Sequence, residues 1–114
     1  MARVRVSPRK GAADAAAVLG HQIKAARIAR KWSAAELAAR ISVDRRTIAA
    51  IEKGDPAVSV GNALNAADIL GVPLFGAEDS AELGRLRREG RERLALLPTR
   101  VDTPRRKVET DDDF

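Results

Sequence analysis

The stretch SAAELAARISVDRRTIAAIEKG, residues 33–54, decides the fold of this chain. Ser33 followed by Glu36 is the pattern of a capping box, in which each side chain binds a free backbone N–H group of the other residue. Asp44 is placed to cap a second helix, and Gly54 to end it. The apolar residues at helical spacing are Leu37, Ala38 and Ile41 in the first helix and Ile48 and Ile51 in the second. The stretch therefore predicts two short helices joined by a tight turn.

These two helices cannot persist alone in water, because helices of about nine residues are too short to offset the cost of nucleation. They must share an apolar seam with neighbouring helices. The opposite face of the second helix then points outward and carries Arg45, Arg46, Ala49 and Ala50.

The run LAARISVDRRTIAAIEKG resembles the helix-turn-helix of the lambda-repressor-like (XRE) family of DNA-binding proteins, and the similarity covers residues 19–75. The positions that carry it are Leu37, Ala38, Val43, Ile48, Ile51, Glu52, Lys53 and Gly54. The resemblance implies an all-α bundle of about five helices. The composition of the two ends adds a flexible N-terminal arm and a disordered C-terminal tail. Ala34 departs from the family pattern, which often has Gln there, either contacting a phosphate or bracing the recognition helix.

In that family the second helix enters the major groove of double-stranded DNA. Carried over to this sequence, the resemblance implies a DNA-binding set of Ser33, Arg45, Arg46, Thr47, Ala49, Ala50 and Lys53. It also implies a structural ion pair between Arg27 and Glu52.

A narrower similarity follows the second helix. The run GDPAVSVGNALNAADILG, residues 54–71, resembles HipB-type antitoxins. This resemblance implies a homodimer that binds a palindromic operator, represses its own operon and restrains a HipA-like toxin kinase. The alternative is a stand-alone XRE-type regulator without a toxin partner.

Composition narrows the classes of function. The formal net charge is +5, and residues 1–31 hold eight Lys or Arg against one acidic residue, which favours a polyanionic partner. There is no Cys and only one His, and no nucleophile–base pair or phosphate loop is recognisable. We therefore expect no enzyme, no metal and no cofactor. Without a long apolar run, we expect no membrane association and a cytoplasmic, nucleoid-associated protein.

The flanking segments are less regular. We expect a basic flexible arm over residues 1–11, the helix-turn-helix domain over 12–76, an additional helix for dimer or core packing over 77–97, and a disordered partner-binding tail over 98–114. The arm either reaches DNA or is an ordinary frayed terminus. The tail is either a solubilising segment or a partner-binding one, anchored by Asp112, Asp113 and Phe114.

Within the domain, residues 12–31 predict a helix with Leu19, Ile23 and Ala26 inward. A later helix is expected to begin after Ser59, which caps it, and to end at Gly71. The residues expected on the inward face of this helix are Val60, Ala63, Leu64, Ala67 and Leu70. For the apolar run VPLF at 72–75, two environments remain open for Phe75, the domain's own core or a short strand paired across a dimer.

Overall fold

Five helices follow one another in the part of the chain that the computed structural model describes, residues 5–101. They are α1 (Lys10–Ala29), α2 (Ala34–Arg40), α3 (Arg45–Glu52), α4 (Val60–Leu70) and α5 (Ser80–Ala95). No strand occurs within residues 5–101, where the one β-type pairing is an isolated bridge between Leu74 and Ala77. The predicted all-α class is therefore confirmed. The chain divides into two units, residues 1–83 and residues 84–114.

The predicted caps form at three successive helix starts. Ser33 Oγ accepts a hydrogen bond from the Glu36 N–H, and the Ser33 N–H donates to Glu36 Oε1 at 2.7 Å, which completes the capping box of α2. Asp44 Oδ1 accepts from the Arg46 N–H at 2.8 Å. Ser59 Oγ accepts from the Asn62 N–H at 3.1 Å. These bonds satisfy N–H groups that have no partner inside their own helices, so they fix where α2, α3 and α4 begin.

The core of the first unit is built by α1 to α4. Ile23, Leu37 and Ile48 are its largest fully buried side chains, and Ala38, Ile51, Ala66, Ala67, Leu70 and Val72 complete it. One expectation about α4 is wrong, because Val60 is 73% exposed and Ala66 is buried instead. Val60 is the first residue of α4, so its side chain precedes the turn that packs on the core.

The helix α1 begins two residues before the predicted start and ends at Ala29. Its Gly20 lies against the end of α3, where an added Cβ would be 2.5 Å from the Ile51 carbonyl oxygen. At Gly54, which follows α3, φ is +78° and a Cβ would lie 2.8 Å from the Ala17 Cα. Glycine therefore allows α1 and the end of α3 to touch through their backbones.

The segment after α4 excludes one of the two environments expected for Phe75. Val72 is buried and Leu74 packs against the core, but Phe75 is 80% exposed with φ at +55°. Packing of Phe75 onto the domain's own core, one of the two expectations, is therefore wrong. The additional helix occupies residues 80–95 of the 77–97 expected, and none of its side chains is buried.

Candidate nucleic-acid interface

The outer face of α3 is the candidate interface. Ile48 and Ile51 are buried on its inner face, which leaves Arg45, Arg46 and Ala49 exposed on the outer one. The side chain of Arg46 is 88% exposed. The face is thus presented to solvent by the packing of its own helix, as an element that enters a groove must be.

Two arginines in the first turn of α3 oppose the helix dipole, whose N-terminal end is positive. No acidic residue occupies that turn, although Asp44 caps it. The carboxylate of Asp44 accepts from the Arg46 backbone N–H and from Arg46 Nε at 3.4 Å, and these bonds lower the pKa of Asp44. Asp44 therefore remains ionised near neutral pH and balances part of the charge.

A groove runs along one side of this face. It is open to solvent and has a volume of about 520 Å³. One wall is formed by Asp44, Arg46, Thr47 and Ala50 of α3 and its cap. The opposite wall is formed by Asp55, Ala57, Val58, Ser59 and Asn62. Thr47 and Ala50, which line the groove, are partly buried. The groove therefore joins the outer face of α3 to the start of α4.

The orientation of α3 is held by an ion pair with α1. Arg27 Nε donates to Glu52 Oε2 at 2.7 Å, and Arg27 Nη2 donates to Glu52 Oε1 at 3.0 Å. The two side chains are only 13% and 10% exposed. The hydrogen bond to Glu52 raises the pKa of Arg27 above its ordinary value, so the guanidinium is charged at every usable pH. The resemblance implies this pair, and the two side chains meet with bidentate geometry.

The same guanidinium also fixes the turn that precedes α2. Arg27 Nη1 donates to the Trp32 carbonyl oxygen at 2.9 Å. The Trp32 ring is partly buried against the core, with the guanidinium carbon of Arg40 4.0 Å and that of Arg30 5.2 Å from its centroid. Cation–π contacts of this kind hold an indole in place. Arg27 therefore ties α1, the α2 entry and the end of α3 together.

The remaining residues of the implied DNA-binding set lie at the ends of the short helices. Ser33 is exposed, but its hydroxyl oxygen already serves the cap of α2. Ala34, which replaces the family's Gln, packs against the core. Lys53 is exposed at the C-terminal end of α3, where a positive charge suits the helix dipole. Along the helix it is about 12 Å from Arg45.

Two residues of this region were not identified from the sequence. Asn62 lines the groove from α4, and Gly20 lets α1 reach the end of α3. The position of Asn62 three residues after Ser59 was a usable signal, since it places Asn62 in the first turn of α4 beside the cap. Gly20 gave only a weak signal, a glycine within an alanine-rich helix, which is normally unfavourable there.

Other expectations concern sites that lie elsewhere. Between residues 5 and 101, no group of three or more His, Cys, Asp or Glu could hold a metal ion. No helix of that part is long and apolar enough to cross a membrane. The proposed anchor residues Asp112, Asp113 and Phe114 and the first four residues of the arm lie outside the described residues.

Comparison with known proteins agrees with this architecture. Residues 23–76 match a family model described as helix-turn-helix, and these bounds enclose α2, α3 and α4 with about the last third of α1. No curated protein and no solved structure matches the chain. Domains of the matched family are DNA-binding regulatory domains and are not typically enzymatic. Residues 23–76 are thus similar to the helix-turn-helix domains of the lambda-repressor-like (XRE) family, the type carried by DNA-binding regulators.

Proposed function

We propose that this protein is a homodimeric transcriptional repressor that inserts α3 into the major groove of a palindromic operator. The observation that carries the proposal is the exposed pair Arg45 and Arg46 in the first turn of α3, a helix whose Ile48 and Ile51 are buried in the core. A recognition helix presents its N-terminal residues to base edges, and an arginine can bind both acceptors of a guanine.

The other residues of the face fit such docking. Ala49 is exposed and small, so it allows close approach or contacts a thymine methyl group. Thr47 and Ala50 line the groove, along which the DNA backbone can follow the start of α4. Ser33 and Lys53 then contact phosphates at the two ends of the helix-turn-helix.

The proposed homodimer is supported by the short length of α3, the helix that would contact the bases. One eight-residue helix contacts only a few base pairs, and two copies related by a two-fold axis read a palindrome with half-sites about 10 base pairs apart. Dimerisation also stabilises a small domain, in whose described residues the largest fully buried side chains are Ile23, Leu37 and Ile48.

Arginine substitution tests the docking. Arg45→Ala or Arg46→Ala should each weaken operator binding by about 1–3 kcal/mol if that residue reads a base, because a lost bidentate contact costs this much. Lys24→Ala is the matched control, since it removes one positive charge from the exposed surface of α1. We would measure affinities by fluorescence anisotropy at several salt concentrations. Operator affinity unchanged in both arginine variants, or reduced equally by the control, would contradict this docking.

We further propose that the protein is the antitoxin of a HipA/HipB-type pair. The support is the sequence similarity of residues 54–71 together with the acidic, aromatic end at residues 111–114, which suits a basic-rimmed apolar pocket on a kinase-like toxin. A stand-alone regulator shares the DNA-binding half of this proposal and lacks the toxin.

Deletion of residues 108–114 separates these two possibilities. The truncated protein should fold and keep its operator affinity or gain slightly, because four acidic residues that repel phosphate are removed. Binding to a co-expressed toxin should weaken, and Phe114→Ala should reproduce part of that loss. Affinity purification of the native protein first identifies the partner. If the truncated protein and the Phe114→Ala variant both neutralise that toxin as well as wild type does, Phe114 is not the anchor of toxin binding.

A further inference from the structure

Phe75 is held in solvent by a tight turn of the first unit, residues 74–77. Its side chain is 80% exposed. The turn is closed by the Ala77 N–H, which donates to the Leu74 carbonyl oxygen at 2.9 Å. Phe75 and Gly76 are its central residues, and their φ angles of +55° and +78° resemble those of a type I′ turn. We call this element the Phe75 turn.

The stability of the turn does not explain a phenylalanine at position 75. A positive φ suits glycine, asparagine and aspartate, and it is unfavourable for a bulky side chain. Because the ring of Phe75 is largely exposed, burial of apolar surface returns little of that cost. An aromatic residue that is unfavourable for its own turn and is presented to water is suited to contact with another molecule.

An acidic crevice adjoins the Phe75 turn. It is open to solvent, has a volume of about 180 Å³ and is lined on its apolar side by Val72, Leu74 and Leu83. Leu74 is also the first residue of the turn, so the crevice and the turn are continuous. Three exposed carboxylates line the crevice as well, those of Asp68, Glu78 and Asp79, and none of the described lining residues is basic.

The charge of the acidic crevice is not balanced inside the first unit. Neither Asp68 nor Glu78 forms an ion pair within residues 5–101. Asp79 Oδ1 accepts a hydrogen bond from the Glu82 N–H at 2.9 Å, which leaves its charge in place. Arg30 reaches the end of α4, where its Nη2 donates to the Leu70 carbonyl oxygen at 3.4 Å. The surface therefore combines an exposed aromatic ring, an apolar crevice and an excess of negative charge.

These charges select the kind of molecule that the surface fits. DNA and anionic lipid are repelled by the carboxylates. A second copy of the same surface would bring like charges together. A protein segment with an apolar side chain between arginines or lysines is complementary, since the apolar group suits the crevice and the cations suit its rim. A cation of such a segment can also stack on the Phe75 ring.

We therefore propose that the Phe75 turn and the acidic crevice form a docking surface for a basic segment of another protein. The inference goes beyond the proposed function, because it uses neither α3 nor residues 98–114. Docking is compatible with operator binding. Asp68 lies six residues along α4 from Asn62, which lines the groove beside α3, so the two sites are about 9 Å apart along that helix.

A nuclear magnetic resonance titration of the full-length protein tests the surface. The probe is a synthetic peptide with one leucine between two pairs of arginines, and the control peptide has glutamates in place of the arginines. The basic peptide should shift the amide signals of residues 68–83, and the acidic peptide should shift none of them. Raising the salt concentration should weaken binding of the basic peptide, because exposed charges are screened.

A matched pair of asparagine variants tests the role of the ring. Phe75→Asn should raise the dissociation constant of the basic peptide at least about fivefold, because the stacked cation and the apolar contact are lost. Val60→Asn removes a side chain that is 73% exposed at the other end of α4, and it should leave the constant within about twofold of wild type. Phe75→Asn should melt at or above the wild-type temperature, since asparagine tolerates a positive φ.

Removal of charge tests the rim of the crevice. The double variant Asp68→Asn with Glu78→Gln keeps the size of both exposed side chains and leaves the Asp79 cap intact. It should weaken binding of the basic peptide at least about threefold and reduce the effect of salt.

The outcomes separate this inference from the proposed function. Shifts at residues 68–83 that Phe75→Asn and the double variant both weaken, with the fold retained, support the docking surface. Shifts confined to other acidic residues, such as those at 109–114, overturn it, and so does the absence of shifts at millimolar peptide. A lower melting temperature of Phe75→Asn shows a structural role for the ring and also overturns it. Operator affinity, measured in parallel for Phe75→Asn, should equal that of wild type and tests α3 docking separately.

Discussion

Replacement of Glu52 by alanine tests how the recognition helix is held. The change removes both acceptors of the Arg27 guanidinium, which is 13% exposed and keeps only its bond to the Trp32 carbonyl oxygen. Breaking a buried ion pair costs about 3–5 kcal/mol, because the remaining charge is left without its partner. Some solvent reaches this pair, so we expect Glu52→Ala to lower the free energy of unfolding by about 3 kcal/mol, the low end of this range. For a domain of this size that lowers the melting temperature by roughly 12–24 °C.

The assay is thermal unfolding followed by circular dichroism, with urea unfolding to give the free energy. Glu89→Ala is the control, because Glu89 pairs with Arg85 on the surface at 2.9 Å with both side chains more than 40% exposed. An exposed helical pair of this type contributes about 0.3–0.5 kcal/mol. Below the melting temperature, Glu52→Ala should still bind the operator, since Glu52 faces Arg27 and not the groove. Melting of Glu52→Ala within about 2 °C of wild type would refute the reasoning.

Two further predictions concern the backbone contact and the α3 cap. Gly20→Ala should destabilise the domain by about 1–3 kcal/mol, because its Cβ would overlap the Ile51 carbonyl oxygen. The control Gly61→Ala has open space around its Cβ position and should stabilise the domain by up to about 1 kcal/mol. Urea unfolding midpoints that shift in the same direction in both variants would contradict this prediction. The pKa of Asp44 is lowered from its ordinary value of 3.8, so its contribution is present above that value and is lost as the pH falls through the lower folded value. Asp44→Asn keeps a capping oxygen without titrating, so wild type should lose urea resistance relative to the variant below about pH 4; parallel midpoints from pH 7 to 2 would exclude this linkage.

The sequence alone determined the local architecture of the central segment. The capping box at Ser33, the cap at Asp44 and the left-handed glycine at Gly54 involve atoms within a few residues of one another, so their geometry follows from the order of residues. The 3.6-residue period likewise placed Ile48 and Ile51 inside and Arg45 and Arg46 outside. The candidate interface was therefore predictable from one short run.

Only the tertiary structure decided which distant groups meet. The need for glycine at position 20 depends on the carbonyl oxygens of residues 51 and 52, more than thirty residues away. The third hydrogen bond of Arg27, to the Trp32 carbonyl oxygen, requires a turn whose path is set by packing on the core. Periodicity gave Val60 the inward side of α4, but it is exposed because a residue at a helix start can lie beyond the edge of the core. Spacing along the chain defines a face, whereas burial depends on how far the neighbouring helices extend over it.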